Sequence, residues 1–148
     1  MNSLQFLEGS PRNLGAVTCG DGVNFAVFSK NAERVVLDLF DTPQDKQPSF
    51  SFEFDPVKNR TGSIWHVFVK GLSAGALYLY RVDGPYNPPQ GHRFNFNKFL
   101  FDPYAKSFTS GSVFRSYNKQ RALGLAGVEN GRLSVYLLFC AKLVIIPV

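Results

Sequence analysis

The stretch VNFAVFSKNAERVVLDLF, residues 23–40, decides the fold class. In both of its halves, hydrophobic side chains occupy every second position and therefore share one face, which predicts two β-strands with one buried face. The short polar segment SKNAE, residues 29–33, predicts a turn between them. The residues predicted to face the core are Val23, Phe25, Val27, Val35, Leu37 and Leu39.

The same alternation recurs in SFSFEF (49–54), SIWHVFV (63–69) and ALYLYRV (76–82). Turn-forming residues separate these runs, and no helical period lies between them. Because a parallel sheet needs long crossover connections, usually helices, the spacing favours an antiparallel β-sandwich or barrel. The predicted core residues of these strands are Phe50, Phe52, Phe54, Trp65, Val67, Val69, Tyr78, Tyr80 and Val82.

The chain divides by pattern into three regions. Residues 1–21 predict an irregular N-terminal arm, because four glycine and proline positions interrupt any period. Residues 22–110 predict the sandwich. Residues 111–148 predict an irregular linker and an apolar tail, VYLLFCAKLVIIPV, which is too short for a membrane-spanning helix. The tail is either a strand or a segment whose partner is absent.

Composition narrows the function classes. The net charge of +5 comes from scattered Lys and Arg residues, whereas nucleic-acid binders cluster them, so no nucleic-acid partner is predicted. Cys19 and Cys140 are far apart and have no metal-ligand spacing. They predict buried free thiols in a reducing cytoplasm, with a disulfide between them as the minor alternative. No secretory signal, membrane segment, metal site or cofactor is predicted.

No catalytic residue is predicted, because the sequence carries no nucleophile, phosphate-loop or zinc motif. The carboxylates follow strands or open turns, where Asp is common for structural reasons. Sugar binding needs only an exposed aromatic ring and a few polar groups. Tyr78, Tyr80, Tyr86 and Tyr104 are candidates for that ring, while Trp65 alternates in phase with core residues.

Two long stretches resemble the isoamylase-type glycogen debranching enzymes of the α-amylase superfamily. The first is EGSPRNLGAVTCGDGVNFAVFSKNAERVVLDLF, and the second is TGSIWHVFVKGLSAGALYLYRVDGPYNPPQGHRFNFNKFLFDPYAKSF. The similarity is ordered and collinear over roughly residues 8–108. It includes the successive motifs Tyr-Arg-Val-Asp-Gly-Pro-Tyr, Gly-His-Arg-Phe-Asn and Asp-Pro-Tyr-Ala.

The resemblance implies an immunoglobulin-like, early-set antiparallel β-sandwich, the isoamylase-type carbohydrate-binding module of glycoside hydrolase family 13. In the family this module precedes a (β/α)₈ barrel, which carries the catalytic carboxylates and hydrolyses α-1,6 branch points of glycogen. Such a barrel needs about 200 residues or more, so this chain is predicted to be the non-catalytic module. The apolar tail suggests a truncated or frame-disrupted enzyme. The alternative is a stand-alone module that binds glycogen or maltooligosaccharide.

The same resemblance implies two sets of site residues. Related starch-binding modules of AMP-activated kinase carry a Lys where this chain has Leu79, and a Trp near Pro85 and Tyr86. Arg81 and Tyr86 are therefore only partial substitutes in a sugar site. The segment after Gly91 is expected to lie where the sandwich meets the barrel. The implied interface residues are His92, Arg93, Phe94, Asn95, Asp102 and Tyr104.

Overall fold

The structure is a computed structural model that describes residues 3–107, 109, 128–129, 132–133 and 143–145. Within these ranges it contains β-strands and one 3₁₀ helix, Pro88–Gln90. In chain order the strands are β1 (Gln5–Glu8), β2 (Gly15–Cys19), β3 (Gly22–Phe28), β4 (Arg34–Phe40), β5 (Phe50–Glu53), β6 (Arg60–Thr61), β7 (Ile64–Lys70), β8 (Leu77–Asp83), β9 (Tyr86–Asn87), β10 (His92–Arg93), β11 (Val128–Glu129), β12 (Arg132–Leu133) and β13 (Leu143–Val144).

Two antiparallel sheets form the sandwich. The first has the strand order β1-β7-β3-β2, and β6 also pairs with β7. The second has the order β13-β8-β4-β5. All pairings are antiparallel, which confirms the predicted immunoglobulin-like class of all-β fold.

The core lies between the two sheets and consists largely of the residues that the alternation predicted. Phe25 on β3 meets Tyr78 on β8 edge to face, with ring centroids 5.1 Å apart. Trp65 is fully buried, as predicted, and its ring meets Phe54 at 6.4 Å. Edge-to-face contacts of this kind stabilise a core beyond the area they bury.

The first 21 residues differ from the prediction of an irregular arm, since they contain β1 and β2. β1 pairs with β7, and Phe6 stacks on Phe50 and Phe52 of the second sheet, at 4.9 and 4.5 Å. Because β7 supplies the hydrogen-bonding partners, β1 forms at the edge of the sheet although its own sequence shows little alternation of hydrophobic and polar residues. Gly15, the first residue of β2, adopts a φ of 98°, a value that favours glycine. This glycine, which interrupts the hydrophobic period, therefore marks the end of a strand.

Part of the predicted tail belongs to the sandwich. Leu143–Val144 pairs with β8, and Ile145 is buried and bonds with the backbone of Gly75 and Ala76. The sandwich therefore extends beyond the predicted range 22–110 at both ends. The linker at 111–127 and most of the tail lie outside the described residues.

Candidate functional site

The outer face of the second sheet contains a buried ion pair. Asp38 on β4 is completely buried, and Arg81 on β8 holds it with two hydrogen bonds, Nε to Oδ2 at 2.6 Å and a terminal nitrogen to Oδ1 at 2.9 Å. Ser51 on β5 donates its hydroxyl to the same carboxylate. A bidentate pair of this geometry fixes the guanidinium plane.

The chain after β10 returns across this outer face and covers it. We call residues 94–105 the return segment. The Arg81 guanidinium lies over the rings of Phe96 and Phe99, at 4.9 and 5.7 Å from their centroids. Phe99 also meets Phe40 of β4 edge to face at 5.6 Å, and Arg34 lies 4.2 Å from the Phe96 ring. Cation–π and aromatic contacts therefore hold the return segment against the sheet.

This arrangement corrects three of the predicted sugar contacts, Tyr78, Tyr80 and Arg81. Tyr78 and Tyr80 point into the core and are each 1% exposed, so neither ring can stack on a sugar. The Arg81 guanidinium donates two hydrogen bonds to Asp38, and its flat face lies over the rings of Phe96 and Phe99. Leu79, at the position of the kinase-module Lys, is buried as well. The alternation of hydrophobic residues predicted both Tyr side chains on the core face, and the structure confirms that prediction.

The return segment then closes one edge of the sandwich. Leu100 exchanges backbone hydrogen bonds with Tyr80, at 2.7 and 3.0 Å. Asp102 is buried, and its carboxylate accepts hydrogen bonds from the Tyr78 hydroxyl at 3.0 Å and from the Tyr104 amide at 2.8 Å. The Cβ and the carbonyl oxygen of Tyr104 pack closely against Gly15 of β2 in the first sheet.

Asp102 therefore leaves the set of predicted interface residues, because its carboxylate is used inside the module. Burial raises the pKa of this carboxyl above its ordinary value, although both hydrogen bonds act in the opposite direction. Burial, with the neighbouring Asp102 charge, also raises the pKa of the Tyr78 and Tyr80 hydroxyls. The buried Asp102 carboxylate, with its two hydrogen bonds, holds the return segment in place between the two sheets.

Three apolar side chains remain exposed on this closed edge. Leu100, Phe101 and Tyr104 are 41%, 44% and 57% exposed, and we call them the edge patch. Tyr104 was predicted as an interface residue, and Phe101 is one of the aromatic residues of the segment expected to meet the barrel, whereas Leu100 was not predicted. The signal that could have found Leu100 is the run NKFLFDPY, whose apolar residues outnumber the positions a single packed face can take.

The predicted residues before the patch form a small hairpin. β9 pairs with β10, so that Tyr86 lies opposite Arg93 and Asn87 opposite His92. Tyr86 is 46% exposed, so it stays a candidate sugar contact. Arg93 is exposed and His92 half-buried.

The two remaining candidates have structural contacts. Phe94 packs against the core and lies so close to Gly84 that a Cβ there would approach its ring to 2.9 Å. Asn95 forms a turn, because its side chain accepts a hydrogen bond from the Asn97 amide and its carbonyl accepts one from Lys98. These contacts position the segment that bears the edge patch.

The other histidine, His66, lies on the outer side of the first sheet and is buried. Its Nε2 is 2.8 Å from the Thr61 hydroxyl, and Nδ1 has no partner within the described part of the chain. Burial lowers the pKa of the ring below its usual value. The imidazole is therefore neutral near pH 7 and acts as a packing residue of β7.

Neither a metal centre nor a membrane-spanning helix is formed by the residues that the structure describes. No three His, Cys, Asp or Glu side chains among them lie close enough together to hold an ion. No helix among these residues is long and apolar enough to cross a bilayer. Cys19 is a free thiol but exposed, so the prediction of burial is wrong for it, and Cys140 lies outside the described residues.

Comparison with known proteins gives one consistent family. The model of carbohydrate-binding module 48, described as the isoamylase N-terminal domain, matches residues 13–105. The glycogen debranching enzyme of Yersinia enterocolitica is 48% identical over 100 residues, a match that covers 68% of this chain and 14% of the enzyme. Isoamylase 1 of Arabidopsis thaliana chloroplasts is 40% identical over 110 residues, covering 72% of this chain and 14% of that protein.

Solved structures agree on the fold. The product complex of SpuA, a multi-modular glycogen-degrading pneumococcal virulence factor, superposes with a TM-score of 0.58 at 17% identity, covering 94% of this chain and 12% of that one. The Group B Streptococcus pullulanase SAP gives 0.56 at 18% identity, covering 90% and 14%. This chain spans about 14% of the length of the curated relatives above.

Proposed function

Because the chain belongs to the carbohydrate-binding module 48 family of isoamylase N-terminal domains, we propose that it is a non-catalytic docking module of an α-glucan debranching enzyme. Its partner is a catalytic (β/α)₈ barrel, and the edge patch with the adjacent hairpin forms the contact. The enzyme's activity on glycogen branch points and the cytoplasmic location belong to the same proposal.

The observation that carries this proposal is the edge patch itself. Three large apolar side chains lie exposed within five residues, on a segment fixed at one end by Phe99 on the closed sheet and at the other by Asp102. Large apolar side chains left exposed on a segment that is held in place mark candidate protein–protein contacts. Aromatic anchors of this kind commonly contribute most of the binding energy of an interface.

The length of the relatives supports the choice of partner. Their matched regions amount to about 14% of each protein, so most of each relative lies outside the region that this chain resembles. A module that is a small part of a larger enzyme needs a surface that fixes it to the remainder. The exposed aromatic side chains after β10, Phe101 and Tyr104, fit that requirement. The outer face of the second sheet does not, because Phe96 and Phe99 already cover it.

A binding experiment in two parts tests the proposal. The 148-residue chain is titrated against the Yersinia enterocolitica debranching enzyme from which the matching 14% has been removed. We expect saturable binding that Phe101→Ser weakens by roughly tenfold or more, as for an aromatic anchor. Phe28→Ser is the matched control, because Phe28 is an aromatic residue on β3 that is more exposed than Phe101, at 60% against 44%, and it should leave the affinity unchanged.

Two results would contradict the docking role: no binding by the wild-type chain, or equal affinity of the Phe101 and Phe28 variants. The second candidate function, glucan binding through Tyr86, rests on the exposed ring opposite Arg93. Retention of the chain on glycogen that is lost in Tyr86→Ala, with Phe101→Ser retained, would favour that function over docking.

A further inference from the structure

Charge is unevenly distributed between the body of the sandwich and the segment that bears the edge patch. Residues 3–83 contain eight basic and nine acidic residues, a net charge of −1. Residues 84–107 contain one acidic residue, Asp102, which is buried. The same range contains three basic residues, Arg93, Lys98 and Lys106. The surface of this range therefore presents positive charge, whereas the rest of the sandwich is close to neutral.

Two of the basic side chains lie next to exposed aromatic residues of the proposed docking surface. Lys106 follows Tyr104 by two residues, and Arg93 lies on β10 opposite Tyr86. Arg93 and Lys106 are both exposed, and neither forms an ion pair with another described residue. An apolar centre with a polar, accessible rim is the usual construction of a protein–protein interface.

The arginine side chains beneath the return segment do not add to this charge, because carboxylates of the same sheet neutralise them. Arg81 pairs with Asp38, and Arg34 pairs with Glu53 at 2.6 Å. Asp83, the acidic residue that directly precedes the range 84–107, accepts a hydrogen bond from the Gly84 amide. The exposed cations without a carboxylate partner are thus found at the docking surface and not on the covered face behind it.

We propose that the edge patch docks onto an apolar protein surface with an acidic rim, whose carboxylates face Arg93 and Lys106. This inference rests on the proposed docking function and adds the chemistry of the partner surface. Charges of opposite sign across an interface steer the two proteins into the correct orientation and accelerate association. The apolar side chains supply the affinity, and the two cations supply the direction of approach.

An acidic protein surface fits these residues better than a nucleic acid does. Sites for single-stranded nucleic acid combine a positively charged groove along the backbone with a series of aromatic rings on which the bases stack. Here the two exposed cations are 13 residues apart on different elements. Leu100, one of the three side chains of the edge patch, has no ring for stacking.

The test measures the association rate of the full chain with the Yersinia enterocolitica enzyme that lacks the matching 14%. We expect the rate to fall roughly fivefold or more between about 0.1 and about 1 M NaCl, because the Debye length decreases from about 10 Å to about 3 Å. The double variant Arg93→Glu, Lys106→Glu should associate roughly fivefold more slowly than wild type at the lower salt concentration. Its rate should no longer fall as salt is added.

The matched control is the double variant Lys30→Glu, Lys46→Glu, which changes the net charge equally at two exposed positions outside residues 84–107. It should keep the wild-type rate and salt dependence. Equal rates for the two double variants, or a wild-type rate that salt leaves unchanged, would overturn the acidic rim. Docking itself still stands in that case if Phe101→Ser binds more weakly than Phe28→Ser. Competition by oligothymidylate would overturn the acidic rim in favour of a nucleic acid, and no binding by wild type would overturn both proposals.

Discussion

The two outer faces of the sandwich have opposite constructions. The outer face of the second sheet, the closed face, contains the Asp38–Arg81 pair and is covered by Phe96 and Phe99 of the return segment. The outer face of the first sheet, the open face, keeps a cleft between the β1–β2 loop and the strands. A sheet face on which the chain folds back has little surface for a ligand, whereas an open face retains it.

The difference has a physical cause. A buried carboxylate such as Asp38 is costly unless a well-placed cation and further donors satisfy it, and Arg81 with Ser51 supplies them. Covering that pair with aromatic rings excludes water and strengthens it. The outer face of the first sheet contains no buried charge at the matching place but the neutral amide of Asn24, which is itself buried and whose polar atoms bond to the Ser10 backbone.

The largest effect should come from breaking the ion pair of the closed face. Asp38→Ala leaves Arg81 partly buried without its carboxylate, and we expect a loss of about 3 kcal/mol in the free energy of unfolding, measured by urea denaturation. The control is Asp21→Ala, which breaks the exposed pair with Lys70 and should change stability by less than about 0.5 kcal/mol. Similar losses in both variants would show that the closed face is not built around the pair.

A smaller effect should separate covering from exposed aromatic residues of one segment. Phe99 contacts Phe40 and Arg81, so Phe99→Ala should lower the free energy of unfolding by about 2 kcal/mol. Phe101, two residues on, is 44% exposed, and Phe101→Ala should lower it by about 0.5 kcal/mol or less. Equal changes in thermal or urea unfolding would contradict the division between cover and edge patch.

The smallest effect should be a dependence on pH at the closed edge. Burial raises the pKa of Asp102 in the folded state, so its contribution to stability is complete below the ordinary carboxyl pKa of about 4 and declines as the pH rises through the raised value. Asp102→Asn removes the charge and can keep both contacts, because the amide oxygen can accept from the Tyr104 amide and the amide nitrogen can donate to the Tyr78 hydroxyl oxygen. We therefore expect its unfolding free energy, relative to wild type, to increase from about pH 4 to about pH 7.

Asp55 is the control of opposite sign for this measurement. The backbone amides of Val57 and Lys58 lower the pKa of its carboxyl, so its contribution is present above the ordinary value and lost as the pH falls through the lowered one. Asp55→Asn should therefore become less stable relative to wild type as the pH rises. Parallel pH profiles for the two variants would contradict the burial of Asp102.

The fold was largely predictable because its central strands carry one signal. In β3, β4, β7 and β8, alternate hydrophobic residues agree with the pleat of a half-buried strand, and each is where it was predicted. The short edge strands β1 and β2 were missed, since the neighbouring strands supply their pairing. Gly9 and Gly15, which looked like breaks, serve a close approach and a strand end.

The site was less predictable, because exposure depends on what covers a residue. Tyr78 and Tyr80 share a face with core residues, and only the first sheet, which packs against them, shows that almost nothing of the rings remains accessible. Phe99 and Phe101 have the same residue type and nearly the same neighbours in sequence. One covers the Arg81 guanidinium and the other is exposed, a difference that local sequence does not encode.

The sequence by itself determined the class of fold, the family and the composition of the core, because the period of two and the ordered motifs are local properties of the chain. The tertiary structure alone decided which surfaces stay open. It placed the return segment over the Asp38–Arg81 pair, used Asp102 to close an edge, and left a cleft beside Asn24. Each of these depends on contacts between residues distant in sequence, whose positions follow from how the two sheets pack.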